Sequence, residues 1–154
     1  MRGEVTVHMD APVDRVWDLV TDVTRIGEFS PETFDAEWTR GATGPAEGAW
    51  FRGHVKRNQK GPTYWTQCKV TVFEPKRHFE FGVMMRSERP VNSWGYRLQP
   101  ADGGTDVTEY FRLADNVGSR MYWALLGRLR GKTNDRNIRA TLERMKAVVE
   151  RQPA

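Results

Sequence analysis

The segment DRVWDLVTDVTRIGEFSPE, Asp14 to Glu32, begins as an amphipathic helix and then stops in two stages, at Gly27 and at Ser30-Pro31. Val13, Val16, Trp17 and Val20 recur at the spacing of one helical face. Asp10 stands where an N-cap belongs, and Pro12 falls in the first turn, where its missing N–H is no loss. A second short helix is expected over Val23 to Glu28, with Ile26 and Phe29 sharing its buried side. Pro31 disfavours helical geometry at Ser30, so the pair ends there. The pattern then changes to period two, with Phe34, Ala36 and Trp38 alternating with Asp35, Glu37 and Thr39. A broken helix pair followed by β structure is either an ordinary corner over a core or the rim of a cavity.

Outward from this segment the reading is regular. Glu4 to Met9 alternates as a first strand. Downstream, strands are expected over Trp50–Arg57, Tyr64–Phe73, His78–Met85, Asn92–Leu98 and Asp106–Leu113, with Asp102-Gly103-Gly104 as a hairpin signal. From Ser119 to about Gln152 the period is helical, with Leu125, Leu129, Ile138, Leu142, Met145 and Val149 as its apolar residues and Gly127 and Gly131 interrupting its first half. The order is strand, two short helices, six strands, long helix. This predicts an α+β fold in which a curved, seven-stranded antiparallel sheet wraps around a long C-terminal helix. A helix of about 30 residues spans roughly 45 Å, enough to cross the sheet. If the sheet is strongly curved the helix cannot fill its whole concavity.

The 154 residues suit a single domain over 1–154, and 38% hydrophobic with 29% charged residues is an ordinary globular balance. No apolar run approaches the roughly 18 residues of a membrane span. The opening MRGEVTV has no apolar signal core, and the lone Cys68 precludes an intramolecular disulfide, so a cytoplasmic location is expected. The net charge is +4 and the pI about 9.5. The excess lies after residue 119, interleaved with apolar residues at helical spacing, which reads as a solvated helix face; no nucleic-acid partner is expected.

Several segments carry a resemblance. DAPVDRVWDLVTDVTRIGEFSPE resembles the helix pair of the polyketide cyclase/dehydrase family, within the START-like, helix-grip superfamily that also includes the birch-pollen allergen. EPKRHFEFGV resembles that family's central hairpin, NSWGYRLQPADGGTDVTEYFRL its last two strands and NIRATLERMKAVVE its closing helix. The resemblance covers nearly the whole chain. It implies a hydrophobic internal pocket entered between the loops and the long helix. Members include aromatase/cyclases, lipid and hormone binders, and many small actinobacterial proteins.

With the apolar face of each strand turned inward, such a pocket is lined by Phe34, Ala36 and Trp38, by Phe51, Gly53 and Val55, and by Cys68, Val70 and Val72. Phe79, Phe81 and Val83 follow, then Trp94 and Tyr96, then Val107 and Phe111. Trp17 comes from the first helix, while Ile26 and Phe29 are expected at the cavity mouth. Taken singly, each of these is an ordinary core residue; together they have the dry, aromatic composition of a small-molecule site. Glu109 falls between Val107 and Phe111 on the same face, so alternation turns a carboxylate inward. It is either a pocket acid/base or ligand anchor, or a carboxylate paired with an arginine or tyrosine. Tyr64, Tyr96 and Tyr122 are candidate hydroxyls, and Glu109 and Tyr96 are the two catalytic candidates. Gly127 and Gly131 leave room for a ligand or a lid, or allow close packing.

Other chemistries find no support. His54 and His78 alternate with inward positions and should face out, and His8 has no carboxylate, Cys or His at ligand spacing, so no metal is expected. Cys68 in an apolar strand is an inert thiol. No nucleophile elbow or phosphate-cradling loop is present, and no cofactor is expected. The resemblance also marks a departure. Aromatase/cyclases use pocket arginines, and Val70 and Val83 stand where these would project; a one-residue register slip would bring Lys69 inward but turn the apolar face out.

The leading expectation is a binding or carrier protein for a hydrophobic small molecule, lipid or polyketide-like. The alternative is a polyketide cyclase, aromatase or dehydratase using Glu109 and pocket tyrosines. A third reading is a regulatory interaction protein that uses the basic C-terminal helix. MYWALLG, apolar nearly all round, suits a lid, a dimer contact or a transient membrane contact, and a monomer or homodimer fits equally.

Overall fold

The computed structural model describes residues 2–86, 88–114 and 117–151, leaving aside the side chains of Arg2, Asn58, Val117, Ser119, Tyr122, Trp123 and residues 126–131. The elements are β1 (Arg2–Met9), α1 (Val13–Thr21), a 3₁₀ helix (Val23–Glu28), β2 (Thr33–Thr39), β3 (Trp50–Val55), β4 (Tyr64–Glu74), β5 (His78–Met84), β6 (Pro90–Ala101), β7 (Gly104–Leu113) and α2 (Val117–Arg151). The strands form one antiparallel, curved sheet in the order β1-β7-β6-β5-β4-β3-β2. The first strand therefore pairs with the last, and consecutive strands from β2 to β7 are neighbours. The fold class read from the periodicity is the one observed.

Local chemistry explains the elements. β6 and β7 are joined by Asp102-Gly103 with φ of 45° and 76°, between the paired residues Ala101 and Gly104. Two left-handed residues in a two-residue loop match the twist of the strands they connect. Asp10 does not cap α1: Pro12 occupies the N-cap without a side-chain bond. The Asp10 side chain instead meets His8, and its backbone N–H donates to Glu150 on α2 at 2.8 Å. Asp22 caps the 3₁₀ helix, accepting from the Thr24 N–H at 3.1 Å. Asp14, in the first turn of α1, pairs with Lys76 at the β4–β5 turn, at 2.8 Å.

The inner face of the sheet carries the core. Trp17 of α1 lies 5.4 Å from Phe73 and 6.4 Å from Phe79, ring centre to ring centre. Two bulges correct the alternation read from sequence. The register shifts between Thr33 and Asp35, which throws Phe34 to the outer face. There it is 48% exposed and lies 4.3 Å from the His54 ring, rather than lining the interior. A second shift, between Val70 and Val72, places Val72 opposite Glu80 and turns Phe73, not Val72, inward. An extra residue reverses the side-chain parity downstream of a bulge, and period-two counting cannot detect it.

α2 rests mainly on β1 and less on β7, with Ile138, Leu142, Met145 and Val149 buried. Gly3 leaves room for the helix side chains: a Cβ there would lie 2.8 Å from Asp135 Oδ1 and 3.9 Å from Ile138 Cδ1. The helix end is tied down by Lys146 donating to the His8 carbonyl at 3.0 Å and Arg15 donating to the Val149 carbonyl at 3.1 Å. Leu125 does not join this apolar face; it is 79% exposed. Leu129, Gly127, Gly131 and the Tyr122 side chain lie outside the described side chains.

The outer face holds a carboxylate that the sequence did not single out. Glu80 is 6% exposed although no layer covers that side. The Tyr110 hydroxyl and Arg112 Nη2 donate to its Oε2, and Thr71 donates to Oε1 at 2.9 Å. Burial pushes the Glu80 carboxyl up, but these bonds outweigh it and hold it below its usual range. The Tyr110 hydroxyl has one proton, which goes to Glu80, so His78 Nε2, 2.8 Å away, must donate to it. Tyr110 lies over Gly95, where a Cβ would sit 2.2 Å from Cζ. The cluster ties β4, β5 and β7 together. Tyr110→Phe is expected to cost about 1.5 kcal/mol, since it removes one donor from a buried charge, and urea unfolding would measure it.

Candidate functional site

The site is the inner wall formed by β3 to β7. Antiparallel pairing sets Phe79 opposite Tyr96 and Tyr96 opposite Glu109, so three strands bring these side chains to one level of the wall. Phe51, Val70, Phe79, Phe81 and Phe111 are buried around them, with Phe51 and Phe81 edge to face at 5.1 Å. Trp38 packs on Phe51 at 5.7 Å, and Trp94 on Phe111 at 4.7 Å. Val70 and Val83 both face this wall, whereas Lys69 is outside, with its ammonium 5.8 Å from the Trp50 ring. The register slip that would have brought a cation inward does not occur.

Glu109 is 3% exposed and Tyr96 is 5% exposed. The Tyr96 hydroxyl donates to Glu109 Oε1 at 3.2 Å. Glu109 Oε2 has no hydrogen-bond partner among the described residues. Burial pushes the Glu109 carboxyl well above its usual range, and the single bond from Tyr96 offsets only part of this. Burial, reinforced by Glu109, likewise pushes the Tyr96 hydroxyl up. Both shifts favour the neutral forms of the two groups. A neutral carboxyl is a hydrogen-bond donor as well as an acceptor, and here one oxygen of it is unclaimed. Of the two readings left open by the sequence, the partner is a tyrosine, and it satisfies only one side of the carboxyl.

Asn92 was missed. It stands opposite Val83 and Leu113, on the same alternation that turns Trp94 and Tyr96 inward, and its buried Oδ1 also lacks a partner among the described residues. Extending the Trp94-Tyr96 pattern two residues back would have found it. Four residues along β6 separate Asn92 from Tyr96, about 13 Å at the rise of a strand. Among the described residues the wall thus presents two unclaimed side-chain oxygens in mainly apolar surroundings.

The wall is unevenly covered. Val55, Val83, Trp94 and Leu113 are only partly buried, and they cluster at the end of the sheet where β5 leads into β6. The 3₁₀ helix sits at that end. Gly27 packs against the carbonyl of Phe34, and the Lys56 N–H donates to the Glu32 carbonyl at 2.8 Å. Ile26 is partly buried there, but Phe29, expected at a mouth, is 2% exposed and belongs to the core. Trp17 lies at the opposite end, on Phe73 and Phe79. Phe34 is on the outer face, and Tyr64 is 39% exposed.

Matching the sequence to family models decides the kinship. The model described as polyketide cyclase / dehydrase and lipid transport matches residues 1–150. The chain belongs to this family. Its members' description joins polyketide chemistry and lipid transport, which associates the chain with hydrophobic small molecules. Solved structures share the helix-grip fold. A polyketide-cyclase-like protein of Corynebacterium glutamicum is 26% identical, with 97% of this chain and 89% of that one covered and a TM-score of 0.60. A protein of Chromobacterium violaceum is 12% identical, covers 98% and 99% of the two chains and has a TM-score of 0.71. One from Nitrosomonas europaea is 16% identical, with 97% and 94% covered and a TM-score of 0.68. The last two speak for the fold alone. None of the curated proteins matches the sequence.

Cys68 shares the inner face with its cross-strand neighbours Phe51 and Val83. Burial pushes the Cys68 thiol up to about 12, so it is neutral and inert. Among the described residues no group of three or more His, Cys, Asp or Glu is placed to hold a metal ion. His8 does have carboxylates beside it. Nδ1 lies 2.7 Å from Asp106, brought across by β1–β7 pairing, and Nε2 lies 3.2 Å from Asp10. The bond to Asp106 raises its pKa. These are outer-face ion pairs. Among the described residues no helix is long and apolar enough to cross a membrane.

Proposed function

We propose that this family member binds a hydrophobic small molecule, of lipid or polyketide type, against the inner wall of the sheet, and that Glu109 holds the ligand's polar group. The observation that carries this reading is the Glu109 Oε2 atom, buried without a partner in an apolar interior. An unpaired buried oxygen costs free energy that a ligand carbonyl or hydroxyl would recover. Protonated, Glu109 donates to a ligand carbonyl while Tyr96 fixes its other oxygen. Asn92 offers a second polar contact nearer the less covered end. The ligand this selects is long, mostly apolar, uncharged at its inner end and equipped with one or two oxygens.

A second reading has one observation in its favour. A neutral carboxyl next to a tyrosine hydroxyl is a general acid able to polarise a ketone, as a cyclase or dehydratase step requires. Against it, Val70 and Val83 supply no cation to hold an enolate.

The test uses the neutral fluorophore N-phenyl-1-naphthylamine. The protein is expected to bind it with enhanced emission, and Val83→Trp, which fills the partly covered wall, is expected to weaken binding about tenfold. Circular dichroism would check that the variant folds. Absence of binding, or equal binding by a folded Val83→Trp protein, would remove the interior site.

A further inference from the structure

One side of α2 is not explained by the fold. Ile138, Leu142, Met145 and Val149 mark the face that packs on the sheet. Leu125 precedes Ile138 by thirteen residues, about three and a half turns, and so points to the opposite side. Met121 lies one turn before Leu125 on that same outward line. Their exposures are 63% and 79%, large for methionine and leucine. Continuing along the line at whole-turn intervals come Lys132, Arg136 and Arg139, all exposed. The stripe is about 27 Å long, apolar at its beginning and cationic beyond.

The sequence of this half of α2 is strongly cationic, and the exposed Glu143, one turn after Arg139, ends the row. Between Val117 and Arg139 the chain has six cations, Arg120, Arg128, Arg130, Lys132, Arg136 and Arg139, and one acid, Asp135. Asp135 is directed away from the stripe, with Oδ1 2.8 Å from where a Gly3 Cβ would be. The sequence pattern grouped Leu125 with the other apolar residues of the helix; the structure separates it from their buried face and aligns it with the cations.

We infer that the outward stripe of α2 is a docking surface for an anionic lipid bilayer, with Met121 and Leu125 entering the interface and Lys132, Arg136 and Arg139 resting on lipid phosphates. An apolar tip followed, on the same side of the helix, by a row of lysine and arginine is the arrangement that interfacial helices use. The charge pattern selects among occupants. A second copy of the chain would set the same cation row against itself. A single-stranded nucleic acid would match the cations but leave exposed Met121 and Leu125 without a role, since base stacking needs aromatic or planar groups. The docking surface is independent of the interior site, because none of its residues belongs to the inner wall.

Co-sedimentation with extruded vesicles tests it. The full chain is expected to pellet with vesicles of phosphatidylcholine containing about 30 mol % phosphatidylglycerol and to remain in solution with phosphatidylcholine alone. Binding should fall steeply with added salt. The triple variant Lys132→Glu, Arg136→Glu, Arg139→Glu is expected to lose at least about tenfold in binding. The double variant Met121→Ser, Leu125→Ser is expected to lose a similar factor while keeping its salt dependence. All five positions are exposed, so both proteins should keep the wild-type near-ultraviolet circular dichroism. If charge reversal disturbs the fold, glutamine at the same three positions gives the answer. Failure to bind the anionic vesicles at low salt overturns the inference. So does undiminished binding by the serine variant, tighter binding to single-stranded RNA than to the vesicles, or a concentration-dependent dimer in sedimentation velocity that the serine variant abolishes.

Discussion

Replacing Glu109 by glutamine is expected to make the protein more stable than the wild type at about pH 8 and to change little at about pH 4. The carboxyl titrates near 4.3 in an unfolded chain, and burial pushes it well above that in the folded one. Between these two values the folded protein keeps a proton that the unfolded chain has released. Stability then falls as pH rises through the window, with a slope approaching about 1.4 kcal/mol per pH unit. Below the unfolded value both states are protonated and the penalty vanishes. Glutamine is neutral at every pH, fits the same volume and still accepts the Tyr96 hydroxyl. The difference between the two proteins should therefore open above about pH 5 and widen until the folded carboxyl ionises. His8 and Glu80 also shift on folding, but both proteins share these groups, and their contributions cancel in the difference. Urea unfolding at a series of pH values measures it. Parallel pH profiles would show that Glu109 is ionised in the folded state and hydrated by a route other than Tyr96, and the donor role proposed for it would be lost.

The sequence made Glu109 visible because its neighbours Val107 and Phe111 are unambiguous and β7 runs without a bulge. The same counting found Tyr96, Phe79 and Val83. It failed at Phe34 and Val72, where a bulge reverses parity, and nothing in TFDAEWT or KVTVFE marks the extra residue. It passed over Asn92 because a polar residue at the head of a strand reads as the end of a loop. It could not find the Glu80 cluster, whose members come from four separated places in the chain: Thr71, His78 with Glu80, Gly95, and Tyr110 with Arg112. Each is an ordinary surface residue until antiparallel pairing sets Gly95 opposite both Glu80 and Tyr110. The fold was legible for a different reason. Element order, the switch from period 3.6 to two and back, and the Asp102-Gly103 turn all point to one arrangement, and agreement among weak local signals is what specifies a fold.

Gly27, inside the 3₁₀ helix that follows α1, leads to the other large effect. Its backbone conformation is an ordinary one, so the need for glycine is a need for space. A Cβ there would lie 2.3 Å from the Phe34 carbonyl oxygen and 3.0 Å from its carbon. Both are backbone atoms at the start of β2. That strand is held by β3 on one side and by the Lys56 N–H on Glu32, so it cannot yield as a side chain would. The 3₁₀ helix must lift instead. Gly27→Ala is expected to cost about 3 kcal/mol, the upper range for a forced overlap, against a change within about 0.5 kcal/mol for Gly44→Ala, whose surroundings are open. The loss should be local before it is global. Once it leaves β2 the 3₁₀ helix is held at its two ends, by the buried Val23 at its start and by the buried Phe29 and the Arg144 guanidinium on the Ser30 carbonyl at 3.4 Å just after it. Amide exchange in Val23–Phe29 should therefore accelerate more than exchange in β6 and β7. Since this helix stands at the less covered end of the inner wall, N-phenyl-1-naphthylamine should also enter faster in the variant. Equal entry rates, with exchange raised throughout the sheet, would make Gly27 a packing residue of the whole fold and not the hinge of a cover.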